Sequence, residues 1–418
     1  MLKKIAFIRS IDIKQAEPTI SQLKNDFIKN NKIDFKIYYS GNKLDDPSLS
    51  ENIETFDKNI KIEELAYKIF KWKPDLVVSI SLPDNNAVRD AVLKEYLYKK
   101  YNIKMVMHPI KSTLLLGNKW DTNFWLRSMN FNTSNAIHIS SEMINNLHNN
   151  YEDYKYYFDA ISTSISNMKK PLFVKPLRNS MSIGVKVFND DKDIIDYIYK
   201  NKDQDYIIEE KINGQLYGME ALIKNKNIFF QPLVKKCSLE GGALMPFGHL
   251  RYGNIVIDND IYNKITKQIT EITKKLKLQG SVEFEFIVEK KEFKFVEINP
   301  RISGMTNLSS SISNINTFSW LINSNITKKN INKKINNFII AEIPLDSVSE
   351  NFYKNYKKLK KVISIQNVTY HNGEKSWKAL FKGKSLEKIY LYINNLQKKG
   401  DIKIPLNIKK EFEKELFF

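Results

Sequence analysis

A single cysteine, Cys237, stands in 418 residues. No disulfide can close within the chain and no cysteine cluster can hold zinc, so the expected setting is reducing and cytoplasmic. No run of about 18 apolar residues occurs, which is the length a membrane-spanning helix needs. The opening MLKKIAFIRS holds too short an apolar stretch for a secretory signal and reads as two lysines before a first buried strand. G-x-G-x-x-G is missing from the first strand–helix units, so a dinucleotide site has no support there. Internal repeats and long low-complexity linkers are missing too. The charge is unbalanced, at a net +19. Its lysines are scattered, however, and the densest runs, 328–334 and 354–361, are broken by apolar or neutral residues in the manner of solvated helix faces. A nucleic-acid partner is not expected on that pattern.

What is present describes a soluble α/β protein. Hydrophobic residues make up 42% and charged residues 27%, which separates the chain from disordered sequences. Its length allows two to four units of roughly 100–200 residues each. Over 1–115, apolar runs alternate with helical spacing: strands at 5–8, 35–39, 75–81 and 104–107, helices at 18–27 and 84–98. The run Leu76-Val-Val-Ser-Ile80 is the continuous, β-branched kind buried on both faces of a parallel sheet. An open α/β sheet follows from that alternation. Beyond Gly117 the pattern changes. A helix over 118–129 and a short strand over 136–139 precede 151–167, which is aromatic and polar and resists assignment. Strands then dominate: 171–175, 183–188, 206–212, 217–223 and 227–234. A helix over 261–276 leads into a hairpin of 281–288 and 293–298. The segment 326–418 reads as a small α/β extension, with strands at 338–343, 362–368 and 377–381 and a helix at 386–396.

Three clusters carry chemistry. In Val296-Glu297-Ile298-Asn299-Pro300-Arg301, Glu297 and Asn299 are two apart on a strand and share a face. A carboxylate and an amide oxygen beside phosphate oxygens suit magnesium, which takes few protein ligands. Arg301 follows, with a permanent charge and a planar fork suited to phosphate or carboxylate. Upstream, Glu283 and Glu285 alternate with Phe284 and Phe286, and the turn near 289–291 brings Glu285 toward Glu297 and Asn299. In the third cluster, Phe173-Val-Lys175-Pro ends a buried strand in a lysine. A small-residue loop follows, Asn179-Ser180-Met-Ser182-Ile-Gly184, whose backbone N–H groups can approach phosphate oxygens.

In order and spacing these clusters resemble the ATP-grasp family, over about residues 75–325. The likeness includes Gly117-Asn-Lys119-Trp-Asp-Thr122, which looks like the family's lysine-bearing helix start, and the twelve-residue step from Glu285 to Glu297, similar to biotin carboxylase-like members. Tyr206-Ile-Ile-Glu209-Glu210-Lys211-Ile212-Asn-Gly214 looks like the hinge between the two lobes. The resemblance implies a carboxylate–amine ligase that makes an acyl phosphate from ATP, with one or two Mg²⁺ or Mn²⁺ ions. It implies a module over 116–325, with lobe one about 150–213 and lobe two about 214–325. Lys119 and Lys175 would hold phosphates, helped by Ser180, Ser182 and Gly184. Glu285, Glu297 and Asn299 would hold metal, and Arg301 the transferring phosphoryl group. Adenine would meet the Glu209 side chain and the backbone of Glu210, Lys211 and Ile212. Many relatives place an acid two residues after the hinge glycine. Here Leu216 stands there, and Glu220 is the nearest acid that could join the nucleotide site.

The Gly-rich stretch 240–253 reads as a loop bordering the acceptor. There Arg251 can clamp a carboxylate and His249 can bind substrate or take a proton; an ordinary loop with both side chains bonded to backbone is the other reading. Ser303 and Gly304 stand where relatives often carry a glycine pair near the acyl phosphate. The partners implied are a small carboxylate and an amine; a homodimer is compatible with all of this. Two alternatives stay open. One is a bicarbonate-activating enzyme, although no biotin-carrier segment is visible; the other is a non-catalytic binder of ATP or nucleic acid on the same fold.

Overall fold

The computed structural model describes residues 3–10, 33–40, 52–82, 84–178, 184–237, 248–326, 337–369 and 375–417. The expected helix at 18–27, Ser180, Ser182 and most of the acceptor loop lie outside them.

The first unit is a parallel sheet. Strands β1 (Lys3–Arg9), β2 (Ile33–Tyr39), β3 (Ile53–Thr55), β4 (Leu76–Ser79) and β5 (Met105–Val106) lie in the order β3-β2-β1-β4-β5. Both faces are covered, which is why the strands read as unbroken apolar runs. One face packs Ala6, Ile8 and Val77 against the helices Ile62–Trp72 and Asp84–Tyr101. The other packs Ile5, Phe7 and Val78 against Phe318, Leu321 and Ile322 of the helix Thr317–Ile326. The first unit is thus clasped by a helix from far along the chain. His108 adds a second tie. Its Nδ1 accepts from the Gln279 N–H at 3.1 Å, which leaves Nε2–H to donate to the Ser281 carbonyl at 2.9 Å. Burial holds this imidazole neutral, pushing its pKa down to about 4.

A smaller antiparallel sheet follows, of β6 (Ala136–Ile139), β7 (Leu172–Pro176), β8 (Lys186–Phe188) and β9 (Tyr206–Glu210), in the order β6-β9-β7-β8. The stretch 151–167, hard to assign from sequence, is a helix over Tyr151–Ser166 that buries Ile161 and Ile165 against this sheet. Its remaining aromatics are on the outside or half-buried, which is why its apolar period is weak.

The largest sheet contains β10 (Gln215–Lys224), β11 (Asn227–Phe230), β12 (Val234–Lys236), β13 (Arg251–Gly253), β14 (Gly280–Glu289), β15 (Glu292–Asn299), β16 (Ile339–Leu345), β18 (Val362–Thr369) and β19 (Lys375–Gly383). The order is β15-β14-β10-β12-β13-β16-β19-β18, with β11 beside β10; β17 (Ser347–Val348) pairs with β20 (Ile402–Lys403) apart from it. Two corrections to the sequence reading follow. The single strand expected at 227–234 is broken at Gln231-Pro232, where proline cannot donate to a ladder and the Gln231 N–H turns to the Glu220 carbonyl. The C-terminal strands continue the central sheet, because Arg251 to Gly253 pair with Ile340 to Glu342.

Alternation divides this sheet into two faces. On one, Phe284, Phe286, Phe295 and Ile298 meet Ile261, Ile265, Ile269 and Ile272 of the helix Asn259–Lys275. Fully burying one such side chain contributes about 1.5–3 kcal/mol, so this face anchors the hairpin rigidly. The other face carries the charges.

Candidate active site

Register places the hairpin carboxylates opposite one another: Glu285 against Glu297, and Glu283 against Asn299. All four side chains share the polar face. The Asn299 amide donates to Glu283 Oε2 at 3.2 Å. Lys119 comes from another element. Asn118 caps its helix by accepting from the N–H groups of Trp120 and Asp121, and Lys119 Nζ lies 3.3 Å from Glu297 Oε1. Burial opposes the Glu297 charge, but Lys119, Arg301 and Lys175 outweigh it and hold its pKa below the usual carboxylate value. Glu285 is pushed the other way, by burial and by the charges of Glu283 and Glu297, against the pull of Lys236.

Arg301 stands at the end of β15. Its Nε donates to Asp84 Oδ1 at 2.6 Å and its Nη2 to Asn299 Oδ1 at 3.1 Å. Asp84 is the first residue of its helix in the parallel-sheet unit, so that unit orients the arginine. Lys175, on β7, is ion-paired with Glu209 on β9, which lies diagonally across the ladder, opposite Phe173. Burial would lower the Lys175 pKa; Glu209 more than offsets this and raises it.

Several sequence-predicted residues stand elsewhere than expected. Glu209 is buried, and besides Lys175 it accepts from Ser134 Oγ at 3.0 Å, so its carboxylate is already engaged. The Glu210 N–H bonds to the Asn135 carbonyl and the Lys211 N–H to the Pro171 carbonyl; Ile212 follows them. The Glu210 carboxylate accepts from Asn135 Nδ2 and from the Lys169 N–H. Gly184 has φ +77, in the left-handed region that glycine tolerates.

Glu220 is engaged within the protein. It is fully buried, and its Oε1 accepts from Ser303 Oγ at 3.0 Å and Thr306 Oγ1 at 2.5 Å, tying down the turn that follows Arg301. Burial raises its pKa to about 7. Ser303 Oγ in turn accepts from the Met305 N–H, which fixes the Ser303-Gly304 turn.

The acceptor loop is corrected as well. Arg251 is in a strand, 3% exposed, with Nη1 3.6 Å from Glu342 Oε1. It cannot swing as a loop residue would. Its face is nevertheless the polar one, beside Lys236 across the β12–β13 ladder. His249 is bonded through Nδ1 to Glu411 of the C-terminal helix, whose other oxygen takes the Leu250 N–H. His249 therefore joins the C-terminal extension to the sheet.

Sequence reasoning passed over two residues, one on this face and one that reaches it from the first unit. Lys236 Nζ lies 2.7 Å from both Glu283 Oε1 and Glu285 Oε1. Asp84 orients Arg301. No local signal marks either one, because their partners are distant in sequence.

The donor set suits a hard divalent cation: Glu285 and Glu297 are opposed, with Asn299 next to them. Among the described residues, no three His, Cys, Asp or Glu side chains form a closed metal cage. Magnesium does not require one, since substrate phosphates complete its shell.

Two antiparallel sheets follow an open parallel one, and lysines pair with carboxylates on their polar faces. Residues 116–305 match the family model of the ATP-grasp domain. Over those residues the chain carries an ATP-grasp domain. Among curated proteins, it is 25% identical over 263 residues to a D-alanine–D-alanine ligase of Rickettsia akari, covering 59% of this chain and 72% of that one. It is also 25% identical over 285 residues to a formate-dependent phosphoribosylglycinamide formyltransferase of Prochlorococcus marinus, covering 65% and 64%. Among solved structures, it resembles an L-amino acid ligase of Bacillus licheniformis with a TM-score of 0.69 at 15% identity, covering 96% of this chain and 98% of that one. An N5-carboxyaminoimidazole ribonucleotide synthetase of Thermus thermophilus gives 0.68 at 12%, covering 94% and 98%. At these identities the structures speak for the fold. Among the described residues, no helix is long and apolar enough to cross a membrane.

Proposed function

We propose that the chain is an ATP-dependent carboxylate–amine ligase that activates a small acid as its acyl phosphate, joins it to an amine, and releases ADP and phosphate. The convergence of Lys119, Glu285, Glu297, Asn299 and Arg301 on one sheet face inside an ATP-grasp domain carries the reading. The ligases among its relatives support the reaction class. We read 1–115 as the substrate-side unit, 116–325 as the grasping module and 326–418 as an extension of the second lobe.

In this reading ATP lies between the lobes. Lys119 and Lys175 hold its phosphates as point charges, leaving Glu297 and Glu209 to do so. Glu285, Glu297 and Asn299 would hold one or two Mg²⁺ ions, which would neutralise phosphate charge. Arg301 stabilises the charge on the phosphoryl group as it moves to the carboxylate oxygen, and Asp84 holds the arginine in place beforehand. The amine then attacks the acyl carbon and phosphate leaves. Ser303 and Gly304 sit on the turn that Glu220 fixes beside this carbon. Arg251, paired with Glu342, and His249, bonded to Glu411, hold the second lobe and its extension together.

ADP release, screened over amino acids and small acids with and without amines, tests the proposal. Stimulation by a carboxylate and an amine together is expected. Stimulation by bicarbonate alone would turn the reading to the bicarbonate-activating alternative, and salt-sensitive nucleic-acid binding without turnover would overturn ligation.

A further inference from the structure

Lys236 lies on the face that holds the proposed metal ligands, yet nothing above gives it a task. Its side chain is 12% exposed, and its ammonium is shared between Glu283 Oε1 and Glu285 Oε1, 2.7 Å from each. To get there it must cross a strand. Lys236 is on β12 and Glu285 on β14, with β10 between them. The residue opposite Glu285 on β10 is Gly218. A Cβ at Gly218 would lie 2.9 Å from Lys236 Cε, and 2.7 Å from Met305 Sδ. The missing side chain is the passage through which the lysine reaches the carboxylates.

The two carboxylates are not equivalent. Glu283 has a further partner in Asn299 Nδ2, and Lys236, Arg301 and Arg251 overcome burial to keep its pKa low. Glu285 faces Glu297 and has Lys236 as its cation. An ammonium on Glu285 and a divalent ion on the same carboxylate compete for its lone pairs.

We propose that Lys236 is a tethered counter-cation that occupies Glu285 in the empty enzyme, yields it to the divalent ion that arrives with the nucleotide, and stays on Glu283. The proposal rests on reading Glu285 and Glu297 as metal ligands. Without a metal, Lys236 prevents three neighbouring carboxylates from repelling one another. With one, it sets the threshold: metal binding must displace a short charge-assisted bond, so free Mg²⁺ binds weakly and nucleotide phosphates are needed to tip the exchange.

The test is Mn²⁺ binding to the full-length protein, followed by electron paramagnetic resonance with and without ADP, together with melting curves. Lys236→Met should tighten Mn²⁺ binding about tenfold (roughly 1.4 kcal/mol). It should also melt lower than wild type in chelator and gain more from Mn²⁺, because the ion replaces the lost ammonium. Gly218→Ala keeps the charge but crowds the Lys236 chain where it crosses β10, and should shift Mn²⁺ affinity in the same direction by a smaller amount. Lys235→Met, which removes a lysine paired with Glu415, should leave it unchanged. Unchanged or weaker Mn²⁺ binding in folded Lys236→Met and Gly218→Ala would overturn the proposal. ADP-dependent Mn²⁺ binding missing from wild type and variants alike would overturn the metal reading on which it stands.

Discussion

Replacing Asp84 by Asn tests the coupling between the parallel-sheet unit and the catalytic hairpin. The substitution keeps shape and removes charge. Asp84 Oδ1 is 2.6 Å from Arg301 Nε, and both side chains are largely buried, at 13% and 9% exposure. Burial works against the Arg301 charge, and Asp84 is the largest of the groups that offset this. Removing one partner of a buried pair costs about 3–5 kcal/mol when the other is left uncompensated. Arg301 retains Asn299 Oδ1, and Glu297 and Glu283 are close enough to act on its charge, so a loss near about 2–3 kcal/mol is expected. Without Asp84 the guanidinium is drawn toward those carboxylates and away from the phosphoryl path. A misplacement of about 1 Å costs on the order of 10²-fold in rate. The expected result is therefore kcat lowered about 10²-fold, with the Michaelis constant for ATP nearly unchanged because Asp84 does not meet the nucleotide lobe. Melting should fall by a few degrees. Steady-state ADP release and calorimetric melting measure both. A variant with wild-type kcat and wild-type melting would refute the argument; a rise in the Michaelis constant for ATP matching the fall in kcat would show general loosening instead of loss of aim.

Glu297→Gln should abolish ADP formation at saturating Mg²⁺ while leaving circular dichroism and melting close to wild type, since volume is kept and ligand charge is lost. Lys175→Ala should weaken ATP far more than adenosine in calorimetry, and equal losses would move this lysine away from the phosphates. Arg251→Ala should lower the melting temperature, because the buried Glu342 loses the Arg251 cation and keeps Lys378; an unchanged melting curve with a raised constant for the acid substrate would instead favour a clamp. Glu220 makes a prediction about pH. Its folded pKa is raised to about 7, from an ordinary carboxylate value of 4.5. The folded state therefore holds the proton more tightly, and this group's contribution to stability falls as pH rises from about 4.5 through 7. Glu220→Gln, whose amide oxygen can still accept from Ser303 and Thr306, should flatten the melting profile over that window and melt higher than wild type at pH 8; an unchanged slope would count against this.

Much of the fold was legible because periodicity is local. The unbroken run 76–80 named a strand covered on both faces, and β4 is one. The alternation of Glu283 and Glu285 with Phe284 and Phe286 set the polar face of the hairpin, and the isoleucine spacing of 261–272 marked the helix that packs behind it. Gln231-Pro232 was equally local and was passed over, although a proline without an N–H should have ended that strand. The helix at 151–166 was obscured because it buries only one narrow stripe.

The site's wiring was not in the sequence in any readable form. Asp84 and Arg301 are 217 residues apart, and Lys236 and Glu285 are 49 apart. No window of residues contains either pair. Arg251 looked like a loop residue because its strand is only three residues long and exists through pairing with β12 and β16. The bonds of Glu220 to Ser303 and Thr306 cross 83 and 86 residues and could not be read locally either. The residue types and their alternation determined which chemistry the chain could hold. Which lysine meets which carboxylate was decided by strand order and register, because a buried charge settles on whichever partner the packed backbone brings within hydrogen-bond reach.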